Sequence, residues 1–95
     1  MPMKIQVKLY ATLRLNLGVA GLEIEIDKPV TILKLLELAS QQLNSDIIPE
    51  LIEDGEIMVG TILLINGKNI FHAEKLETMI NEECEVSVFP PAGGG

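Results

Sequence analysis

Glu85-Val86-Ser87-Val88-Phe89-Pro90-Pro91-Ala92-Gly93-Gly94-Gly95 runs from a strand into a tail almost without side chains. Val86 and Val88 alternate with Glu85 and Ser87, which is the period of a strand with one buried face. Pro90 and Pro91 cannot continue a central strand and favour an extended path away from it. Glycine opens nearly all of φ/ψ space and lets a backbone enter a narrow channel. Such an end is either a frayed terminus or a thin tail built to deliver its carboxylate into a partner. The tail is expected to be mobile in the free chain and to order in that partner.

Working back from this strand, Ile5, Val7 and Leu9 alternate with Gln6, Lys8 and Tyr10, which predicts a first strand over Lys4 to Tyr10. Leu13, Leu15 and Leu17 surround Arg14 and end at Gly18, which reads as a loop with at most one helical turn. Leu22, Ile24 and Ile26 alternate with Glu23 and Glu25, giving a second strand antiparallel to the first; Asp27-Lys28-Pro29 ends it. Thr31 is a predicted helix N-cap. Ile32, Leu35, Leu36, Ala39 and Leu43 then form the core stripe of a helix over Ile32 to Leu43. Ile47 to Glu53 reads as a short helix or a loop, with Pro49 acceptable in a first helical turn, and Asp54-Gly55 is a turn. Thr61 to Ile65 is an apolar strand. Asn66-Gly67 predicts a type I′ hairpin, with Lys68 to Ile70 as its return strand. Phe71 to Met79 reads as irregular, with room for one helical turn.

The order is strand, strand, helix, strand, short strand, strand. Two hairpin-like pairs flank one helix, so one face of a mixed sheet packs on that helix. The first and last strands then lie side by side at the centre as a parallel pair. This is an α+β architecture of the β-grasp, or ubiquitin-like, type. A single domain spans residues 1–95, with residues 90–95 as its exposed tail.

Composition narrows the function. Hydrophobic residues make up 47% of the chain, enough to fill a core. The fourteen acidic and seven basic residues leave a net charge of −7, which opposes binding to nucleic acid or to an anionic membrane surface. One cysteine, Cys84, excludes a disulfide within the chain. Met1-Pro2-Met3-Lys4 runs straight into a strand rather than an apolar leader, and no apolar run is long enough to span a membrane. The reducing cytoplasm is the expected location.

Side-chain chemistry is sparse. His72 is the only histidine, has no nucleophile at a motif spacing, and cannot hold a metal alone. Cys84 has the strand facing of Val86 and Val88 and reads as a small hydrophobe. Glu82-Glu83 and Glu53-Asp54 read as solvated loop charge rather than paired general acid and base. Gly18, Ala20 and Gly21 are not followed by the Lys-Ser/Thr of a phosphate loop. The Ile32–Leu43 stripe is too short for a zipper. No bound cofactor and no metal site are expected. What remains is the main-chain carboxylate of Gly95. If a partner enzyme converts it to an acyl-adenylate, AMP becomes a good leaving group and a sulfur or nitrogen nucleophile can attack the carbonyl carbon. No Cβ at Gly94 or Gly95 obstructs that attack.

The chain resembles the MoaD/ThiS-type sulfur carriers. The resemblance rests on Val7-Lys8-Leu9-Tyr10-Ala11-Thr12-Leu13-Arg14, on the helix after Val30-Thr31, on the Ile65-Asn66-Gly67 hairpin, and above all on Phe89-Pro90-Pro91 followed by the terminal glycines. It departs from that pattern at Glu83-Cys84, where many members have Gly-Asp, and at Thr12, which replaces a frequent Arg. It implies a thiocarboxylate on Gly95, with Gly94 as the penultimate glycine and Phe89, Pro90, Pro91, Ala92, Gly93 and Arg14 facing partners. The implied partners are an adenylating enzyme of the ubiquitin-activating (MoeB/ThiF-like) type, which consumes the ATP, and the large (MoaE-like) subunit of molybdopterin synthase. The long Ser45 to Gly60 segment favours the MoaD branch, whose sulfur builds the molybdopterin dithiolene. Thiazole synthesis for thiamine, a ubiquitin-like modifier joined to lysines, and a binding module with an inert tail are the alternatives.

Overall fold

The computed structural model describes residues 2–70 and 75–91. The expectations placed on His72 and on the 92–95 tail, including its mobility, lie outside the described residues.

Alternating apolar residues build the sheet. Strand β1 (Met3–Leu9) pairs antiparallel with β2 (Gly21–Ile26), in register Ile5↔Ile24 and Val7↔Leu22. It pairs parallel with β9 (Glu85–Phe89), in register Val7↔Val86 and Leu9↔Val88. β9 also pairs antiparallel with β6 (Ile62–Ile65), which turns through Asn66-Gly67 into β7 (Lys68–Asn69). The sheet has five strands in the order β2-β1-β9-β6-β7. β9 is therefore central, as expected, and the first and last strands are parallel neighbours.

The hairpin has the predicted chemistry. Asn66 at φ 49° and Gly67 at φ 85° supply the two positive φ angles that a type I′ turn needs. Asn66 does more than turn. Its backbone N–H donates to the Glu85 carbonyl at 2.8 Å, and its Oδ1 accepts from the Glu85 N–H at 2.9 Å. One residue thus fixes the start of β9 from both sides.

Because side chains alternate, the register places Ile5, Val7, Leu9, Ile24, Ile26, Leu63, Val86 and Val88 on one face. All eight are buried. Helix α2 (Ile32–Leu43) covers them with Ile32, Leu35, Leu36 and Ala39, while Leu43 packs half-buried at the margin. Thr31 caps this helix as expected: its side chain accepts from the Lys34 N–H at 3.1 Å. Thr31→Ala should cost about 1 kcal/mol. Urea unfolding followed by circular dichroism checks this, and an unchanged midpoint would mean that the cap contributes nothing.

The structure is more ordered than the sequence reading in three stretches, while the short helical turns at Ile48–Glu50 and Lys75–Glu77 are ones that the reading allows. Ala11–Leu17 is not a loop but a seven-residue helix, α1, closed by Gly18 at φ 72°. Only Leu13 of its leucines is fully buried, so the stretch lacks the wide apolar stripe that marks a longer helix. Ile48–Glu50 is a 3₁₀ turn, and a second hairpin, β4 (Ile52–Glu53) and β5 (Glu56–Ile57), folds around Asp54-Gly55. Within the stretch read as irregular, Lys75–Glu77 is a 3₁₀ turn, and β8 (Met79–Ile80) pairs with β3 (Val30–Thr31) ahead of α2. No helix among the described residues is long and apolar enough to cross a membrane.

Candidate functional site

The chain leaves the sheet from its middle. The Tyr10 N–H donates to the Val88 carbonyl at 3.1 Å, and Ile62 faces Phe89 across the ladder. β9 is held on both sides up to Val88 and by β6 at Phe89, so Pro90 and Pro91 depart from a fixed point. Pro90 is buried and Pro91 half-buried. Neither ring can donate to a ladder, so pairing ends where the tail begins.

Phe89 neither closes the core nor stands free. By register it lies on the face opposite α2, and it is half-buried. Its ring stacks on Tyr10, with centroids 4.2 Å apart and planes 7° from parallel. Tyr10 is the residue the sequence reading missed. Its position in an alternating strand marks it as facing away from the core, but nothing local marks it as the partner of an aromatic at the other end of the chain.

Arg14 lies on α1, exposed, and no salt bridge to it is found among the described residues. It borders a shallow groove of about 410 Å³ shared with Gln6, Lys8, Tyr10, Gly21 and Glu23. Lys8 pairs with Glu85 at 3.3 Å, but both side chains are about half exposed (51% and 45%), so the pair adds little stability. The structure thus brings Phe89, Pro90, Pro91 and Arg14 to one end of the molecule, while Ala92, Gly93, Gly94 and Gly95 fall outside the described residues. Gly60 belongs to this end too. A Cβ built there would meet the Pro91 Cβ at 3.4 Å, so the backbone of the 58–61 loop lies directly against the tail root.

Cys84 sits half-buried against the core, with the facing expected of it. Burial raises its thiol pKa, and the Glu82 carboxylate pushes it further in the same direction. The thiol is therefore held in its protonated, unreactive form. Glu53, Asp54, Glu82 and Glu83 are all exposed. Among the described residues no group of three or more His, Cys, Asp or Glu could hold a metal.

Comparison with known proteins bears on what the chain does. Residues 7–95 match the ThiS family. The chain belongs to the ThiS family. A protein of Archaeoglobus fulgidus named as a sulfur carrier is 38% identical over 93 residues, which cover 98% of this chain and 100% of that one. Small archaeal modifier protein 3 of Haloferax volcanii is 29% identical over 93 residues, again covering 98% and 100%. A Haloferax volcanii protein solved in solution superimposes with a TM-score of 0.79 at 29% identity, covering 99% of this chain and 88% of that one. The fold is the ubiquitin-like β-grasp that this family of sulfur carriers and modifiers shares.

Proposed function

We propose that this ThiS-family chain carries sulfur as a thiocarboxylate on Gly95 and donates it to molybdopterin synthesis as the small subunit of the synthase. The observation that carries the reading is the exit of β9. A central strand, paired with β1 up to Val88 and with β6 up to Phe89, ends at Pro90-Pro91, the residues that precede the terminal glycines in the sequence. An adenylating partner joins the Gly95 carboxylate to AMP, releasing pyrophosphate from ATP. A sulfur nucleophile at the oxidation level of sulfide attacks the carbonyl carbon, and AMP leaves. Transfer to the pterin precursor breaks the carbon–sulfur bond, and water restores the carboxylate. Two sulfurs make one dithiolene, so two loaded carriers are spent per product.

In this reading Gly94 and Gly95 provide an unobstructed carbonyl. Phe89, Pro90, Pro91, Ala92 and Gly93 hold the tail at the partner's entrance, and Arg14 offers a charge to it. The ATP belongs to the adenylating enzyme, and this chain binds no cofactor of its own. The whole sequence takes place in the cytoplasm. The test is reconstitution: loaded chain, the large synthase subunit and cyclic pyranopterin monophosphate should yield the dithiolene product. Loading without product, when a known small subunit gives product under the same conditions, would move the sulfur to another acceptor.

A second reading is favoured by the modifier protein among its relatives. The same acyl-adenylate, attacked by a lysine amine, gives an amide bond to a protein. The two readings share the activation step and differ only in the nucleophile. Cys84→Ser should be adenylated as well as wild type in either case and, in the first reading, should load sulfur as well, because the thiol is not the carrier. Intact mass after incubation with ATP, a sulfur source and the adenylating enzyme checks this. Loss of loading in a variant that remains folded would place the chemistry on the thiol.

A further inference from the structure

The end of the molecule around the tail root is unlike the rest of its surface. Three segments meet there: the β1–α1–β2 connection, the 58–61 loop ahead of β6, and the end of β9. From Leu9 to Gly21, from Met58 to Ile62 and from Val86 to Pro91, Arg14 is the only charged residue, in a chain of net charge −7. Among the described residues, four of the five large hydrophobic residues that stand exposed lie in the same segments: Leu15, Val19, Val59 and Ile62; Met79 is the fifth. Val59 is the most exposed of them, at 94%.

That exposure is built rather than frayed. The Thr61 N–H donates to the Met58 carbonyl at 3.0 Å, closing a four-residue turn with Gly60 at its third position at φ 93°. A type II turn needs positive φ there, and glycine supplies it without strain. Both feet of the turn are tied to one atom. The Leu51 carbonyl accepts from the Met58 N–H at 2.8 Å and from the Thr61 hydroxyl at 3.4 Å, and Leu51 and Thr61 are both buried. The turn thus pushes a valine into solvent while Gly60, beside it, rests on Pro91. Water solvates such a side chain at a cost that folding does not recover.

We propose that the Met58–Thr61 turn, with Val59 at its tip, is a docking element for the protein that receives the tail. The occupant is the tail-accepting adenylating enzyme, with an uncharged apolar socket for Val59 at the mouth of its channel. Proximity supports that occupant, since Gly60, next to Val59 in the turn, lies against Pro91, the last described residue before the tail. The charge pattern supports it too: the three segments that meet at the tail root carry no carboxylate, as a desolvated contact requires. This inference rests on the tail being the delivered part, as proposed above.

The test measures binding of the full chain to the ubiquitin-activating-type adenylating enzyme of the same organism, without ATP, by calorimetry. Val59→Asp should weaken binding at least about tenfold, as loss of an interface anchor does. Met79→Asp, equally apolar to charged but outside these segments, should bind as wild type does. Val59→Ser serves if the aspartate variant melts earlier than wild type. Equal binding by wild type and a folded Val59 variant would overturn the docking role, and so would failure of wild type to bind. A concentration-dependent dimer that Val59→Asp abolishes would make the occupant a second copy of this chain and also overturn it. If wild type binds and the Val59 variants do not, but ATP and a sulfur source give no thiocarboxylate, the docking element stands and the sulfur reading falls.

Discussion

Deleting Gly95, or extending the chain by one residue, should abolish sulfur loading and leave the fold intact. The structural half of this expectation follows from where the fold ends. The ladder closes at Phe89, Pro90 is the last fully buried residue described, and the core lies on the opposite face of the sheet under α2. A change at the tip should therefore shift stability by no more than about 0.5 kcal/mol. The functional half follows from reach. An adenylating site must find the carboxylate at a set distance from a fixed exit point, and displacing a reacting atom by about 1 Å can cost on the order of a hundredfold in rate. One residue of extended chain is about 3.3 Å, so the loss should be close to complete. Intact mass before and after incubation, with thermal melts of each variant, measures both halves. A truncated chain that still gains sulfur would show that the terminal carbonyl is not the acceptor.

The largest effect on stability should come from Leu36→Ala. Leu36 is fully buried on α2, in the same core as Leu13 and Ile47. Removing most of a buried leucine side chain and leaving a cavity costs about 2–5 kcal/mol. Domains of this size are stable by only about 5–15 kcal/mol, so a large share of the folded state's margin would go. With a urea slope of about 1–3 kcal/mol per molar, the midpoint should fall by roughly 1 M or more. Leu36→Met, which conserves volume, should lose less than about 1.5 kcal/mol. Equal losses in the two variants would mean that cavity formation is not what destabilises the first.

Much of this arrangement is legible in the sequence, and the parts that are not share a cause. Helix α2 declares itself through five apolar residues at helical spacing behind Thr31. The β6–β7 hairpin declares itself through Asn66-Gly67, which few other conformations suit. Both signals are local. Helix α1 is hidden because Leu13, Leu15 and Leu17 alternate like a strand, and because Leu15 is spent on solvent rather than on the core. The β3–β8 pair is hidden because two-residue strands carry no period; their partnership is a tertiary contact between segments on either side of α2.

The site divides in the same way. Phe89-Pro90-Pro91 and the glycines are contiguous and can be read directly. The Tyr10–Phe89 stack and the contact of Gly60 with Pro91 each join residues that only the parallel pairing of β1 with β9, or the β6–β9 register, brings together. Val59 escapes the sequence reading for a further reason. Nothing local separates an apolar residue beside Ile57 and Met58 from a core one, and only the turn tied to the Leu51 carbonyl shows that it faces water.

The most direct test of the central claim is the intact mass of the chain isolated from the cells that make it, under sulfur-replete growth and without reducing agents. The account predicts a population heavier than the free carboxylate by the difference between sulfur and oxygen. Fragmentation should place that difference on Gly95. A chain found only as the free carboxylate, or one whose added sulfur maps to Cys84, would contradict it.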